Sequence, residues 1–196
     1  MPDLNNGCHQ ATAFPGCRMI RKNYFTVANQ AIPLSFQWRL ANVGLVISMD
    51  ISDQELSPVQ REFLAYWRKQ AGRRIAPRRK DFDVLDVPTL MPHAIIFDVL
   101  RNPLDFRYRL IGTVQRDMSL REYTGMKMSE IEGRGPGSQI WSILDTVRVS
   151  QEPAYHSIPY IGPKKDYFRL NDLFLPWLDD NMETTMIIVM SYYLPR

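Results

Sequence analysis

The segment AIIFDVLRNPLDFRYRLIG, Ala94 to Gly112, constrains this chain more than any other. Two runs rich in β-branched and aromatic residues, Ala94 to Leu100 and Phe106 to Gly112, flank Arg101-Asn102-Pro103, whose Asn-Pro step is turn chemistry. The spacing predicts a β-hairpin. Along its second strand Phe106, Tyr108 and Leu110 alternate with Arg107 and Arg109. Strand side chains point alternately to opposite faces, so the three apolar residues are expected on one face, against a core. Both arginines are then expected together on the other face, toward solvent, a partner or an anion.

What surrounds the hairpin sets the fold class. Thr113 to Ile131 carries short helical signals broken by Gly125, and the tether GRGPGS, Gly133 to Ser138, leads into a helical spacing at Ile140, Trp141, Ile143, Leu144, Val147 and Arg148. Three strand candidates follow: AYHSIPYI, YFRLNDLFLPWL and TTMIIVMSYYL. Strands and helices do not alternate regularly, which argues against a parallel sheet and for an α+β fold with an antiparallel sheet. Upstream, Ser57-Pro58 is a helix start, with Ser52 and Glu55 as a second possible cap. Phe63, Leu64, Tyr66, Trp67 and Ala71 share a helical face and Gly72 is a stop, which predicts a helix over about 53–71.

The chain has 196 residues, 45% hydrophobic and 23% charged, which suits one well-buried domain. Its formal charge of +3 sits in residues 1–48, where Arg18, Arg21, Lys22 and Arg39 face only Asp3; the remainder is neutral. That stretch lacks a helical or alternating period and reads as a poorly ordered extension. A start at Met49, with the stretch before it an artefact of gene-start choice, is the alternative expectation, and the mass of the natively expressed protein decides it. Cys8 and Cys17 are the only cysteines, so the main body can build neither a disulfide framework nor a thiolate metal cluster, which fits a reducing cytoplasm. Leu40 to Met49 is about half the roughly 20 apolar residues that span a bilayer, so no membrane anchor is expected.

The runs LAYWR (Leu64 to Arg68), GRRIAPRRKDFDVLDVPTLMPH (Gly72 to His93), FRYRLIGT, REYTGM and LPWLDD together resemble a family of small bacterial proteins classed as divergent PAS domains. The resemblance covers about residues 55–193. It implies a five-stranded antiparallel sheet, helices packed over one face, an N-terminal helix, and a pocket that in PAS domains holds haem, flavin or a small metabolite. The expected division is an extension at 1–48, the N-terminal helix at 49–72, a linker at 73–91 and the PAS-like domain at 92–193.

Several chemistries are disfavoured by the residues. His93 and His156 are the only histidines after residue 48, and neither lies on the helical segments where a haem ligand is wanted. A backbone-bonding role at the strand mouth is the simpler reading of His93. Flavin photochemistry through a cysteine lacks its cysteine, so the cofactor is left unknown. No zinc cluster, phosphate loop, dinucleotide fingerprint or serine-nucleophile signature is present, and the chain is expected not to be an enzyme. Arg73, Arg74, Arg78, Arg79 and Lys80 form a basic run that could contact nucleic acid, but Asp81, Asp83 and Asp86 soon offset it, so that partner is not expected.

What remains is a binding pocket. Its candidate lining is Thr113, Arg116, Tyr123, Trp141, Tyr155 and Phe168, each of which equally suits a filled core or a surface. Arg116 is the candidate clamp for a carboxylate. Tyr66 and Trp67 are the candidate surface for a homodimer or a protein partner acting in trans. The expected function is a stand-alone sensory or regulatory domain binding a small ligand or a partner in bacterial signal transduction; a ligand-free interaction or dimerisation module is the alternative.

Overall fold

The computed structural model describes residue 51 and residues 56–196, together with the backbone of two short strands upstream. These are β1 (Tyr24–Val27) and β2 (Gln30–Pro33), an antiparallel pair with Tyr24 opposite Pro33. The rest of the 1–48 extension, for which poor order was expected, lies outside the described residues. The chain divides into two compact units, Met1–Ile47 and Ser48–Arg196, and the second carries the architecture that follows.

Helix α1 (Pro58–Ala71) starts where Ser57-Pro58 allows it. Ser57 Oγ accepts from the Gln60 backbone N–H at 3.3 Å, and Gln60 Oε1 accepts from the Ser57 N–H at 3.0 Å. This reciprocal pair satisfies two donors that a helix N-terminus otherwise leaves unpaired. The helix therefore begins at Pro58 rather than near 53; Ser52 and Glu55, the other expected cap, lie outside the described residues. Gly72 ends it at φ +59°, a conformation that side chains with a Cβ rarely adopt.

The sheet contains β3 (Ala94–Arg101), β4 (Leu104–Ile111), β5 (Ala154–Pro159), β6 (Tyr167–Leu178) and β7 (Thr184–Pro195), in the order β4-β3-β7-β6-β5. All neighbours are antiparallel, and the β3–β4 turn contains a cis Asn102-Pro103 bond. The sheet is covered on both faces. On the first, α1 places Phe63, Leu64, Trp67 and Ala71 against Ile96, Leu173, Leu175, Trp177, Met186, Ile188 and Met190. Gln60, fully buried there, donates from Nε2 to the backbone carbonyls of Asn171 and Met190, both at 2.8 Å, and so ties α1 to two strands. Residues 73–91, expected as a linker, join this layer: Ala76, Val87, Leu90 and Met91 are buried in the same core, and Leu178 N–H donates to the Pro77 carbonyl at 2.9 Å.

On the second face lie α2 (Thr113–Asp117), the connection after it, and α3 (Gln139–Ser150), capped by Ser138 Oγ. Here Trp141, Leu144 and Val147 pack with Phe97, Phe106, Tyr108, Phe174, Ile187 and Val189. Consecutive residues of β6 and β7 thus enter opposite cores, as the pleat requires.

The hairpin departs from simple alternation. Ile96 pairs with Leu110 while Phe97 pairs with Tyr108, so Arg109 is the extra residue of a β-bulge. Phe106 and Tyr108 share the second core as expected, but the bulge turns Leu110 to the first. Gly112 then stops the strand by close approach: a Cβ there would lie 2.3 Å from the Met91 carbonyl oxygen and 2.4 Å from that of Pro92. Gly112→Ala should therefore cost on the order of 3 kcal/mol, since the obstacle is backbone and not a movable side chain. Urea unfolding of the variant checks this, and wild-type stability would show that the strand end yields freely.

Candidate functional site

The arginines of FRYRLIGT have a partner within the protein. Asp98, paired with Arg107 on the neighbouring strand, accepts Arg107 Nη2 at 2.9 Å and Arg109 Nη1 at 3.3 Å, and Arg79 Nη2 approaches at 3.5 Å. Three guanidiniums thus surround one buried carboxylate. The basic run before it is similarly engaged, Arg74 with Asp81 at 2.7 Å, and Arg78 and Lys80 with Asp180 at 2.5 and 2.8 Å.

The second face of the sheet contains a different arrangement. His156, Asp172 and Ser191 sit opposite one another on β5, β6 and β7, forming a polar row across the sheet. By alternation with Leu173 and Met190, both Asp172 and Ser191 point to the face that carries Phe174 and Val189. His156 meets the Phe174 ring edge to face at 5.9 Å. Asp172 is 3% exposed and Ser191 4%. Asp172 Oδ1 and Ser191 Oγ are both buried without a hydrogen-bond partner.

The other buried carboxylates are not left so. Asp98 has its arginines, and Asp105 accepts from the backbone N–H groups of Phe106 and Ser129 and from Ser129 Oγ. Orphaned atoms also occur singly at Asn171 Oδ1, Trp177 Nε1 and Thr185 Oγ1. Among the described residues, Asp172 and Ser191 alone are two such residues paired across strands, one of them a carboxylate.

The surroundings are aromatic and basic. Tyr108 stacks on Tyr123 at 5.7 Å, and Arg134 Nη1, from the Gly-rich tether, donates to Tyr108 Oη at 2.6 Å. The Arg134 guanidinium lies 4.7 Å from the Tyr123 ring centre, with that of Arg121 at 5.3 Å. Gln115, fully buried on α2, donates from Nε2 to the His93 carbonyl at 2.9 Å and accepts from Tyr193 Oη on Oε1. Tyr160 packs edge to face on Tyr193 at 5.4 Å.

Sequence reasoning reached part of this set. Tyr123 and Trp141 lie on the second face, Trp141 edge to face with Phe106 at 5.1 Å. Thr113, Arg116 and Phe168 are exposed, and Tyr155 packs against the first core, on the other side of the sheet. The structure therefore does not bring those residues into one lining. Of the expected partner surface, Trp67 is 5% exposed and donates from Nε1 to the Pro176 carbonyl at 2.9 Å, so it is a core residue. Tyr66 is half-buried against Phe82 and Trp177. Asp172, Ser191, Arg134, Gln115 and Tyr193 do not stand out in the sequence; the polar pair Asn171-Asp172 inside an apolar strand is the one signal there.

Burial pushes the Asp172 carboxyl up to about 7, against the opposing influence of Ser191 and of the Arg134 charge. Burial likewise raises Tyr193 and Tyr108, with Asp172 adding to both, and lowers His156. An aspartate in the unfolded chain titrates near its ordinary value of 3.8, so between there and about 7 the folded protein retains a proton that the unfolded chain releases. Stability from this group is greatest on the acid side and falls as the pH rises to about 7. Relative to wild type, Asp172→Asn should gain on the order of a few kcal/mol in unfolding free energy between about pH 5 and about pH 8. Urea unfolding at both pH values checks it; a pH-independent difference would mean that the carboxylate is already paired.

No curated protein matches the chain. No helix among the described residues is long and apolar enough to cross a membrane. A protein-family model described as PAS domain matches residues 55–190, from just before α1 to the middle of β7. The match takes in the antiparallel sheet as far as residue 190 of β7, both covering layers, and His156 and Asp172 of the polar row, stopping just before Ser191, and the chain belongs to the PAS domain family.

Proposed function

We propose that this PAS domain is a sensory or regulatory module, and not an enzyme, that takes a small molecule over the Asp172–Ser191 pair and passes its occupancy to a protein partner in trans. Family membership supports a sensory or regulatory role in general. The observation that carries the ligand is the deeply buried Asp172 carboxyl, whose Oδ1 has no hydrogen-bond partner. Burying a carboxyl oxygen without a donor is costly, and a bound molecule is one way to supply it. Its position supports a signalling route through β6, which bears Asp172 on one face and Leu173 on the other, where α1 packs.

The alternative, a ligand-free interaction or dimerisation module, is favoured by exposed apolar side chains at one end of the sheet. Ile161 is 81% exposed, and Phe168 and Tyr192 are each 44% exposed. These residues are better candidates for a homodimer or partner surface than Trp67.

Native mass spectrometry of the full chain, purified without added cofactor and followed by denaturing mass analysis, separates the two. Under the proposal, the native spectrum shows a reproducible extra mass that disappears on denaturation and is absent from Asp172→Asn. A dimer without extra mass, unchanged by Asp172→Asn and by metabolite extracts, overturns the ligand reading in favour of the interaction module.

A further inference from the structure

We propose that the outer side of the β3–β4 hairpin is a binding site for a phosphate monoester, held by the guanidiniums of Arg79, Arg107 and Arg109 with the ammonium of Lys127 beside them. The site lies on the opposite side of the sheet from Asp172 and does not depend on the preceding reading.

The register of the hairpin gathers these cations. Phe97 and Val99 enter the second core, so Asp98 between them points to the first side, and Arg107 between Phe106 and Tyr108 does the same. Arg107 pairs with Asp98 across one edge of β4 and, through an antiparallel bridge, with Lys127 across the other. Met126 and Met128 pack into the second core, which places Lys127 on the side of Arg107. The bulge keeps Arg109 at 3.3 Å from Asp98 Oδ1, the same oxygen that Arg79 approaches to 3.5 Å.

Four cations therefore meet one carboxylate. Among the described residues Lys127 forms no ion pair, and Arg79, Arg107 and Arg109 have no acidic partner besides Asp98. Glu130, the nearest acid along the chain, uses Oε2 to accept the Lys127 backbone N–H at 3.1 Å. Other arginines of the domain are better matched: Arg148 has Asp145, and Arg101 has both Asp179 and Glu183. Like charges directly opposite each other across strands, as Arg107 and Lys127 are, cost stability, and an anion lying over them removes that cost.

Asp98 acts as a positioning residue in this arrangement. Its side chain is 9% exposed, while those of Arg79, Arg107 and Arg109 are 38%, 46% and 49% exposed. Each guanidinium has five donors, and the contact with the buried carboxylate fixes its inner end while the outer donors face solvent. A carboxylate ligand would present two oxygens in one plane and a single charge. A phosphate monoester presents three oxygens and close to two charges, which suits three guanidiniums arriving from separate parts of the chain. A nucleic-acid backbone fits less well: it calls for a basic stripe, whereas this cluster is compact, has a carboxylate at its centre and sits in a region, 49–196, with no net charge.

The test is isothermal titration calorimetry of the full chain with inorganic phosphate, glycerol phosphate and a glycine-flanked phosphoserine peptide, with acetate and a random DNA duplex for comparison. At least one phosphate monoester is expected to bind, more tightly than acetate by about tenfold or more. Tighter binding of glycerol phosphate points to a small metabolite as the source, and tighter binding of the peptide to a phosphorylated partner; either supports the site. The double variant Arg107→Gln/Arg109→Gln should weaken binding by about tenfold or more, with circular dichroism confirming the fold. Lys127→Gln, which breaks no ion pair, should weaken it severalfold and serves where the double variant does not fold. Arg148→Gln, in an ion pair elsewhere on the surface, should leave it unchanged. Undiminished binding in Lys127→Gln and in a folded double variant overturns the proposal, as does the absence of binding by both monoesters. Binding of the duplex alone overturns it in favour of a nucleic-acid face.

Discussion

Covering both faces of one sheet is the constraint from which the rest of this structure follows. The long strands β6 and β7 have α1 and residues 73–91 on one side and α2, α3 and their connection on the other. Each successive side chain therefore has to be acceptable to one core or the other. Leu173, Leu175 and Trp177 serve the first, Phe174 the second, and apolar residues alternate through Met186 to Met190 in the same way. A polar residue in such a strand has no solvent face to turn to. It must find a partner, as Gln60 does by bonding two strand carbonyls, or remain an energetic liability that a function can use.

Two buried aspartates show both outcomes. Asp98 and Asp172 are 7% and 3% exposed, and each lies on a sheet strand. Asp98 is met by Arg79, Arg107 and Arg109, so its charge helps hold the hairpin to the turn before β3. Asp172 has only the Ser191 hydroxyl beside it and the charge of Arg134, whose guanidinium bonds the Tyr108 hydroxyl instead. The cationic reading of FRYRLIGT is thereby resolved in part: that strand's arginines stabilise the protein's own carboxylate.

Much of the architecture was legible because it rests on local chemistry. Ser57-Pro58 fixes the start of α1, Asn102-Pro103 the hairpin turn, and the scarcity of strand-helix alternation the antiparallel class. What was not legible depends on distant residues. Nothing near Arg109 in the sequence announces that it bulges, since the bulge exists only in the pairing of β4 with β3. Asn171-Asp172 reads as a solvated interruption, yet the two residues face opposite layers and Asp172 is buried in the fold. Thr113, Arg116 and Phe168 have the local polarity or bulk of a pocket lining, but the phase of each element leaves them exposed. Gln60 and Gln115 resemble surface residues in the sequence and are among the most buried polar groups in the fold.

A crystal structure of the full chain, purified without stripping, would examine the central claim most directly, at the space beside Asp172 Oδ1 and Ser191 Oγ. The account predicts density that is neither protein nor a single water, touching both oxygens. A lone water bridging Asp172 and Ser191, or a Ser191 hydroxyl turned to donate to Asp172 with the rings closed over it, would contradict it: the buried carboxylate would then be an internally satisfied part of the core.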